Sequence, residues 1–284
     1  MTLLLNAISE AAVLAPLAVG LSVIYRMSGV INFAAGAVAI TAAYTSVELG
    51  NGPVGVIVAL LVGALLGVLM YATTILPGKL LGAPHVAMTL ATFGFAVVLE
   101  AVGHRVFGGV STAADPWLQG SVEVLGTTLT YQRLVVISIG VVISVVVILL
   151  FDRTMIGRTM EACAANEPLA RLYGTSAGRY HLLAWAIGGF CSAATGVLQV
   201  AIAGVSVALS MHLLLLALVA AVVGGIRGLR STALGVLLVA ALGALVARYL
   251  TTEFILTPIF VLLLVALYLR PQGVFISSTT SERV

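Results

Sequence analysis

Residues able to do covalent or metal chemistry are few and scattered in this sequence. The four histidines, His85, His104, His181 and His212, fall in different loops or at the ends of apolar runs. No H-E-x-x-H, C-x-x-C or G-x-S-x-G spacing sets a ligand or nucleophile beside a partner. The Gly78-Lys79 pair is followed by Leu80 and lacks the upstream glycine of a phosphate-binding loop, so the chain is not its own ATPase by that route. Cys163 lies in a polar stretch and Cys191 in an apolar run, and no disulfide framework is indicated. Metal and nucleophilic catalysis are therefore disfavoured, which leaves recognition.

The strongest candidate for recognition is the polar stretch from Phe151 to His181, which holds four of the thirteen Lys and Arg residues. Within it Asn166 is able to cap a short helix, Pro168 suits the first turn, and Gly174 supplies a left-handed stop about two turns later. On that helix Leu169, Leu172 and Tyr173 share one face by the i, i+3, i+4 rule, and Glu167 and Arg171 form an i, i+4 pair. A protruding apolar face in a water-exposed loop needs a partner. The plainer reading is an ordinary connecting loop with a capped turn.

Deeper in the apolar runs the polar groups are neutral: Asn32, Thr41, Tyr44, Thr89, Thr92, Ser138, Ser144, Ser192, Thr195 and Gln199. Glu48, Glu100 and Arg248 fall near the ends of runs, where they are able to snorkel to water. Ion-coupled carriers usually keep ionisable groups near the midplane. This distribution instead argues for a path suited to a neutral or zwitterionic solute, powered from elsewhere. Asn32, Phe33, Tyr44, Thr89, Thr92 and Gln199 are the candidates to line it. Asn32 opens N-F-A-A-G between Gly29 and Gly36, where a broken, poorly hydrophobic turn could face a water-filled cavity. The plainer reading is that Ser and Thr bond their own backbone and that Asn or Gln bonds across helices.

The elements that must position these residues are membrane spans. Charged residues make up 8% and hydrophobic residues 61% of the 284-residue chain, with a mean hydropathy of +1.21, whereas soluble domains carry about a quarter charged residues. The net charge of +3 is too small to suggest nucleic acid. The N-terminal MTLLLNAISE lacks a basic n-region and a cleavage pattern, so the first apolar run is expected to stay in the mature chain. Runs near twenty residues fall at 8–25, 28–49, 53–76, 85–103, 132–151, 181–203, 210–226, 231–250 and 254–269. The expectation is a single all-α transmembrane domain over 1–284 with about nine spans. With the 152–180 loop in the cytoplasm, alternation puts ten basic residues inside: Arg26, Lys79, Arg153, Arg158, Arg171, Arg179, Arg227, Arg230, Arg270 and Arg283. Only Arg105, Arg133 and Arg248 stay outside. That bias places the N-terminus outside and the C-terminus in the cytoplasm. The main external loop, 104–131, carries turn signals and alternating Val and Leu that suggest a short hairpin, and Trp117 there sits either at interfacial depth or in ordinary packing. Small-xxx-small pairs at Gly63/Gly67, Gly188/Ser192/Gly196 and Gly243/Ala247 permit close helix approach.

These residues carry a resemblance. Gly29-Val-Ile-Asn-Phe-Ala-Ala-Gly36 resembles the G-V-I-N-F-A-H-G segment of the membrane subunits of branched-chain amino-acid ABC importers. Gly157-Arg-Thr-Met-Glu-Ala-Cys-Ala-Ala-Asn-Glu-Pro-Leu-Ala-Arg-Leu-Tyr-Gly174 is similar to that family's cytoplasmic stretch. Gly224-Gly225 and Leu269-Arg-Pro-Gln-Gly-Val-Phe275 resemble its late glycine pair and terminal motif. Ala35 departs from the family's usual His, and Gly225-Ile-Arg-Gly-Leu-Arg230 carries two extra arginines. The resemblance implies a permease subunit of a prokaryotic inner-membrane importer, itself no enzyme. It would work with a second permease subunit, two cytoplasmic ATPases that bind ATP and Mg, and an external solute-binding protein. In that scheme the helix at 166–174 is a coupling helix docked on an ATPase, Glu161, Asn166, Glu167, Leu169, Arg171, Leu172, Tyr173 and Gly174 are the coupling residues, and the solute is a branched-chain or other hydrophobic amino acid or a small amide. A self-contained secondary transporter or channel for a small neutral solute is the alternative, and an intramembrane enzyme is a third reading.

Overall fold

Two long helices, α1 (Thr2–Ser28) and α9 (Ala177–Ala203), form the centre of the bundle and pack on each other. Both are apolar on nearly every face, the pattern of a helix enclosed by other helices. Pro16 lies inside α1. One residue later the helical ladder opens to admit Thr195 of α9. The Leu17 N–H donates to Thr195 Oγ1 at 3.1 Å, and the hydroxyl donates to the Val13 carbonyl at 2.8 Å. A neighbouring side chain thus re-satisfies backbone groups that would be costly to leave bare in a membrane.

The structure, a computed structural model, describes residues 2–108, 111–124, 127–249, 256–270 and 273–275. The remaining elements are α2 (Ala35–Glu48), α3 (Pro53–Met70), a π turn (Tyr71–Ile75) that runs on into α4 (Leu76–Leu80), α5 (His85–Phe107), a hairpin of β1 (Ser121–Val124) and β2 (Thr127–Thr130), α6 (Tyr131–Arg153), α7 (Met155–Ala165), α8 (Glu167–Leu172), α10 (Leu209–Gly224), α11 (Leu229–Tyr249) and α12 (Leu256–Leu269). Six helical stretches among the described residues are long and apolar enough to cross a membrane: Leu3–Ser28, Pro53–Leu80, His85–Phe107, Tyr131–Arg153, Ala177–Ala203 and Leu229–Tyr249. Two further apolar helices, α10 and α12, are shorter. With 14 residues, α2 reaches only about 21 Å, against a hydrocarbon core of about 30 Å. The ends of the expected spans 231–250 and 254–269, together with Pro271, Gln272 and Arg283, lie outside the described residues.

Between apolar helices in lipid there is little hydrophobic drive, so close packing has to supply the contact energy. The seam between α3 and α9 shows how. A Cβ on Gly67 would fall 2.1 Å from the Trp185 carbonyl oxygen, and one on Gly189 would fall 2.2 Å from that of Gly63. Gly63/Gly67 thus behave as their spacing predicts, whereas Gly243 faces the Glu10 side chain rather than another backbone.

Four expectations need correction. The second span does not begin at residue 28: Arg26, Met27 and Ser28 belong to α1, and the interruption spans 29–34. Gly29 in the left-handed region (φ +66°) ends α1, and helix resumes only at Ala35. The 152–180 stretch holds two helices rather than one, because Thr154 caps an additional helix, α7, by accepting from the Gly157 N–H. The loop before the hairpin begins at Gly108, since α5 continues through Phe107. Finally, the π turn inside the 53–80 helix has no counterpart in the expected spans.

The hairpin itself forms. Trp117 is a packing residue: its indole N–H donates to the Asn51 carbonyl at 2.8 Å, and it packs against the buried cluster of Ala42, Ala59, Ala193 and Val197. The two late signatures also meet in space. The Val274 N–H donates to the Val223 carbonyl at 2.8 Å, which seats Gly273 against Gly225.

Candidate functional site

The structure builds two candidate regions from the sequence-predicted residues. The first is the α7–α8 segment. Asn166 Oδ1 accepts the Leu169 N–H at 3.0 Å, Pro168 lies in the first turn, and Gly174 (φ +78°) ends the helix. Ala170 turns inward and joins a buried cluster that includes Met160, Cys163 and Ala177. Leu169 is 49% exposed, Leu172 85% and Tyr173 82%. The local chain therefore holds an apolar face away from the bundle.

Ionic contacts fix the helix behind that face. Arg171 donates to Glu167 at 2.7 Å, Lys79 lies 3.4 Å from the same carboxylate, and His181 Nε2 lies 3.5 Å from it. The His181 ring is stacked parallel to Tyr71, with centroids 6.2 Å apart. Burial works to raise the Glu167 carboxyl, but the Lys79 ammonium, with Arg171, outweighs it and holds the group below its ordinary value. Glu161, expected to belong with the same surface, instead pairs with Arg26 and ties α7 to the end of α1.

The second region is a cleft floored by α2 and walled by α5 and α10. A cavity of about 230 Å³ there is lined by Phe33, Ala37, Phe93, Glu100, Ser210 and Leu214, among others. A narrower crevice continues along α2 past Thr41 and Tyr44, where Tyr44 stacks on Phe107 at 4.8 Å between ring centroids. The N-F-A-A-G stretch positions this cleft. Asn32 is 2% exposed, and its Oδ1 accepts the Ala34 N–H at 3.0 Å, so it organises the start of α2 and does not face the cavity. Thr92 is fully buried; its hydroxyl accepts the Phe33 N–H at 3.0 Å and fixes the residue whose ring reaches the cleft. A Cβ on Gly36 would fall 2.0 Å from the Ser210 carbonyl oxygen, so the glycine lets α10 approach α2.

Of the six expected path residues, Phe33 and Tyr44 line the cleft and its crevice. Asn32 and Thr92 support it from behind. Half-buried Thr89 contributes its carbonyl, which accepts from the Thr92 hydroxyl at 2.7 Å, while Gln199 is half-buried on α9; neither lines the cleft. The residue that sequence reasoning misplaced is Glu100. It does not snorkel from a helix end. Its carboxylate accepts a hydrogen bond from Ser210 inside the cleft. One signal was available: Glu100 is the sole charged residue between His85 and His104, and a carboxylate within an apolar run is a functional candidate by default. Among the described residues no cluster of three or more His, Cys, Asp or Glu is arranged to hold a metal ion.

Comparison with known proteins agrees with this architecture. The "High-affinity branched-chain amino acid transport system permease protein LivH" of Salmonella typhimurium is 25% identical over 286 residues, spanning 95% of this chain and 93% of that protein. The protein of the same name from Escherichia coli K12 is 25% identical over 288 residues, with the same coverage. A chain of the solved structure "PsaBC from Streptococcus pneumoniae in complex with Fab" superposes with a TM-score of 0.53, covering 96% of this chain and 93% of that one. At 16% identity, that likeness speaks for the fold alone. Residues 3–271 match the family described as "Branched-chain amino acid transport system / permease component", and the chain belongs to that family.

Proposed function

We propose that the protein is the membrane-spanning half-pathway of an ATP-driven importer for an apolar amino acid or small amide. The observation that carries the reading is the α8 surface: Leu172 and Tyr173 stand out of a helix whose other side is capped, ion-paired and packed. An exposed apolar helix face held on a rigid base suits insertion into a groove of a partner. The partner in this reading is one of two cytoplasmic ATPases, which supply ATP and Mg. Closure of the ATPases pushes on α8, and the Glu167 contacts pass the displacement to α4 and α9, switching the cleft between outward and inward access. A second permease subunit completes the pathway, and an external binding protein delivers solute. Among the described residues nine apolar helices fall on the expected runs, and in this reading each is a crossing, the shorter α2, α10 and α12 included, with the N-terminus outside and the C-terminus in the cytoplasm of a bacterial inner membrane.

A self-contained carrier would find a use for the carboxylate of Glu100 in the cleft, but it has none for an exposed apolar α8. The test is reconstitution of the chain with its ATPase, second permease and binding-protein subunits. Uptake of labelled leucine is expected to require ATP and the ATPases together. Accumulation against a gradient by the chain alone, or labelling of Tyr173 from the outer face, would overturn the proposal.

A further inference from the structure

In the cleft, one carboxylate and one hydroxyl face otherwise apolar walls. Ser210 donates to Glu100 from the first turn of α10, and Phe33, Phe93, Ala37 and Leu214 supply the surrounding surface. The ring of Phe33 meets that of Phe93 edge to face at 6.3 Å. Both walls are held firmly. Thr92 fixes the Phe33 backbone, and Gly36 lets the Ser210 turn sit directly on α2. The free volume of about 230 Å³ falls below the ~300–1,000 Å³ of pockets for drug-sized ligands and suits a molecule of few heavy atoms.

A carboxylate set among apolar side chains offers a cation a charge-assisted partner. Ser210 supplies one hydrogen bond to a group with about four acceptor sites, and none of the residues lining the cleft is a Lys or Arg. The charge complement is therefore absent from the cavity wall, and a small cation that also carries an apolar body would provide it. We infer that Glu100 and Ser210 form the polar end of a solute subsite, taking the α-ammonium group of an apolar amino acid whose side chain lies against Phe33, Phe93 and Leu214. Glu100 accepts from the ammonium while Ser210 keeps the carboxylate aimed into the cleft. An aliphatic solute lacking the ammonium leaves the carboxylate unpaired and is rejected for that reason.

The inference rests on the importer reading above, and the experiment separates the two. Full importer is reconstituted with binding protein at saturation, and leucine uptake is compared among wild type, Glu100→Gln, Glu100→Asp and the exposed control Glu48→Gln. Glu100→Gln is expected to lower maximal uptake by at least about tenfold, the loss of a charge-assisted contact, with the control unchanged and Glu100→Asp restoring part of the rate. A structural role for Glu100 is separated by a second readout. In a background with Cys163 and Cys191 replaced by Ala, Phe93→Cys is modified with a small thiol reagent in the assembled complex. Saturating leucine is expected to slow modification when Glu100 is present, 4-methylpentanoate is not, and the Glu100→Gln background abolishes the protection. Uptake by Glu100→Gln within twofold of wild type, or protection by both compounds alike, overturns the subsite. If the unmutated importer moves no apolar amino acid, the importer reading fails first and the subsite falls with it.

Discussion

Lys79 Nζ stands 2.7 Å from His181 Nε2, and the two residues are 102 positions apart in the chain. An ammonium group only donates, so Nε2 is the acceptor and the imidazole carries its proton on Nδ1. The same lysine reaches Glu167 on α8. One contact set therefore joins the helix that follows the π turn, the start of α9 and the helix with the exposed apolar face. Three elements that the importer reading requires to move together are held by charges rather than by a continuous backbone.

Replacing Lys79 by Met removes the cation from this set and leaves Glu167 with Arg171. Because Lys79 and Glu167 are only partly buried, the expected loss of their ion pair is about 1 kcal/mol, read as a small fall in the melting temperature of the detergent-solubilised protein. ATP hydrolysis without uptake is expected from the assembled Lys79→Met complex, since the link from α8 to α4 is broken. Coupled uptake at the wild-type rate would remove the contact from the transmission path.

Acid is expected to weaken the same link. The Glu167 carboxyl is held below its ordinary value in the folded protein, so the stability it contributes is fully present above the unfolded value, about 4.3, and is lost as the pH falls through the folded value. Melting curves from pH 7 to pH 3.5 should show wild type losing more stability below about pH 4.3 than Glu167→Gln, which has no proton to take up. Parallel curves would contradict the assignment.

Leu172→Asp and Tyr173→Asp change side chains that are 85% and 82% exposed, so little change in folding is expected. Co-purification of the ATPases should fall by at least about tenfold, since a charge placed in an apolar groove is left unpaired. Retention of the ATPases by both variants would reject α8 as the docking element.

Asn32 and Gly36 test how the N-F-A-A-G stretch works. Asn32→Leu strips the buried Ala34 N–H of its acceptor, an expected loss of about 1–3 kcal/mol; Asn32→Asp keeps the acceptor and should retain more of the stability. Gly36→Val forces side-chain atoms into the Ser210 carbonyl, at an expected cost of about 1–3 kcal/mol and with displacement of α10. Denaturation in detergent measures both. Unchanged stability of Asn32→Leu would return Asn32 to the solute path.

Much of the molecule was legible in its residues because the signals were local. Long apolar runs have to be helices in lipid, where every backbone polar group must find an internal partner. Asn166, Pro168 and Gly174 wrote the start and stop of α8 within nine positions, and Gly63/Gly67 announced a close seam. What the sequence alone could not carry were the distant pairings. Glu161 belongs to Arg26, Glu167 to Lys79, and Glu100 to Ser210, 135, 88 and 110 positions away. Those partners exist only once the helices have packed. By hydropathy, a Glu near the end of a run reads as snorkelling toward water whether the facing helix offers lipid, solvent or a hydroxyl. Tertiary structure decided which, and in deciding it turned an apparently inert helix end into the polar wall of a cleft.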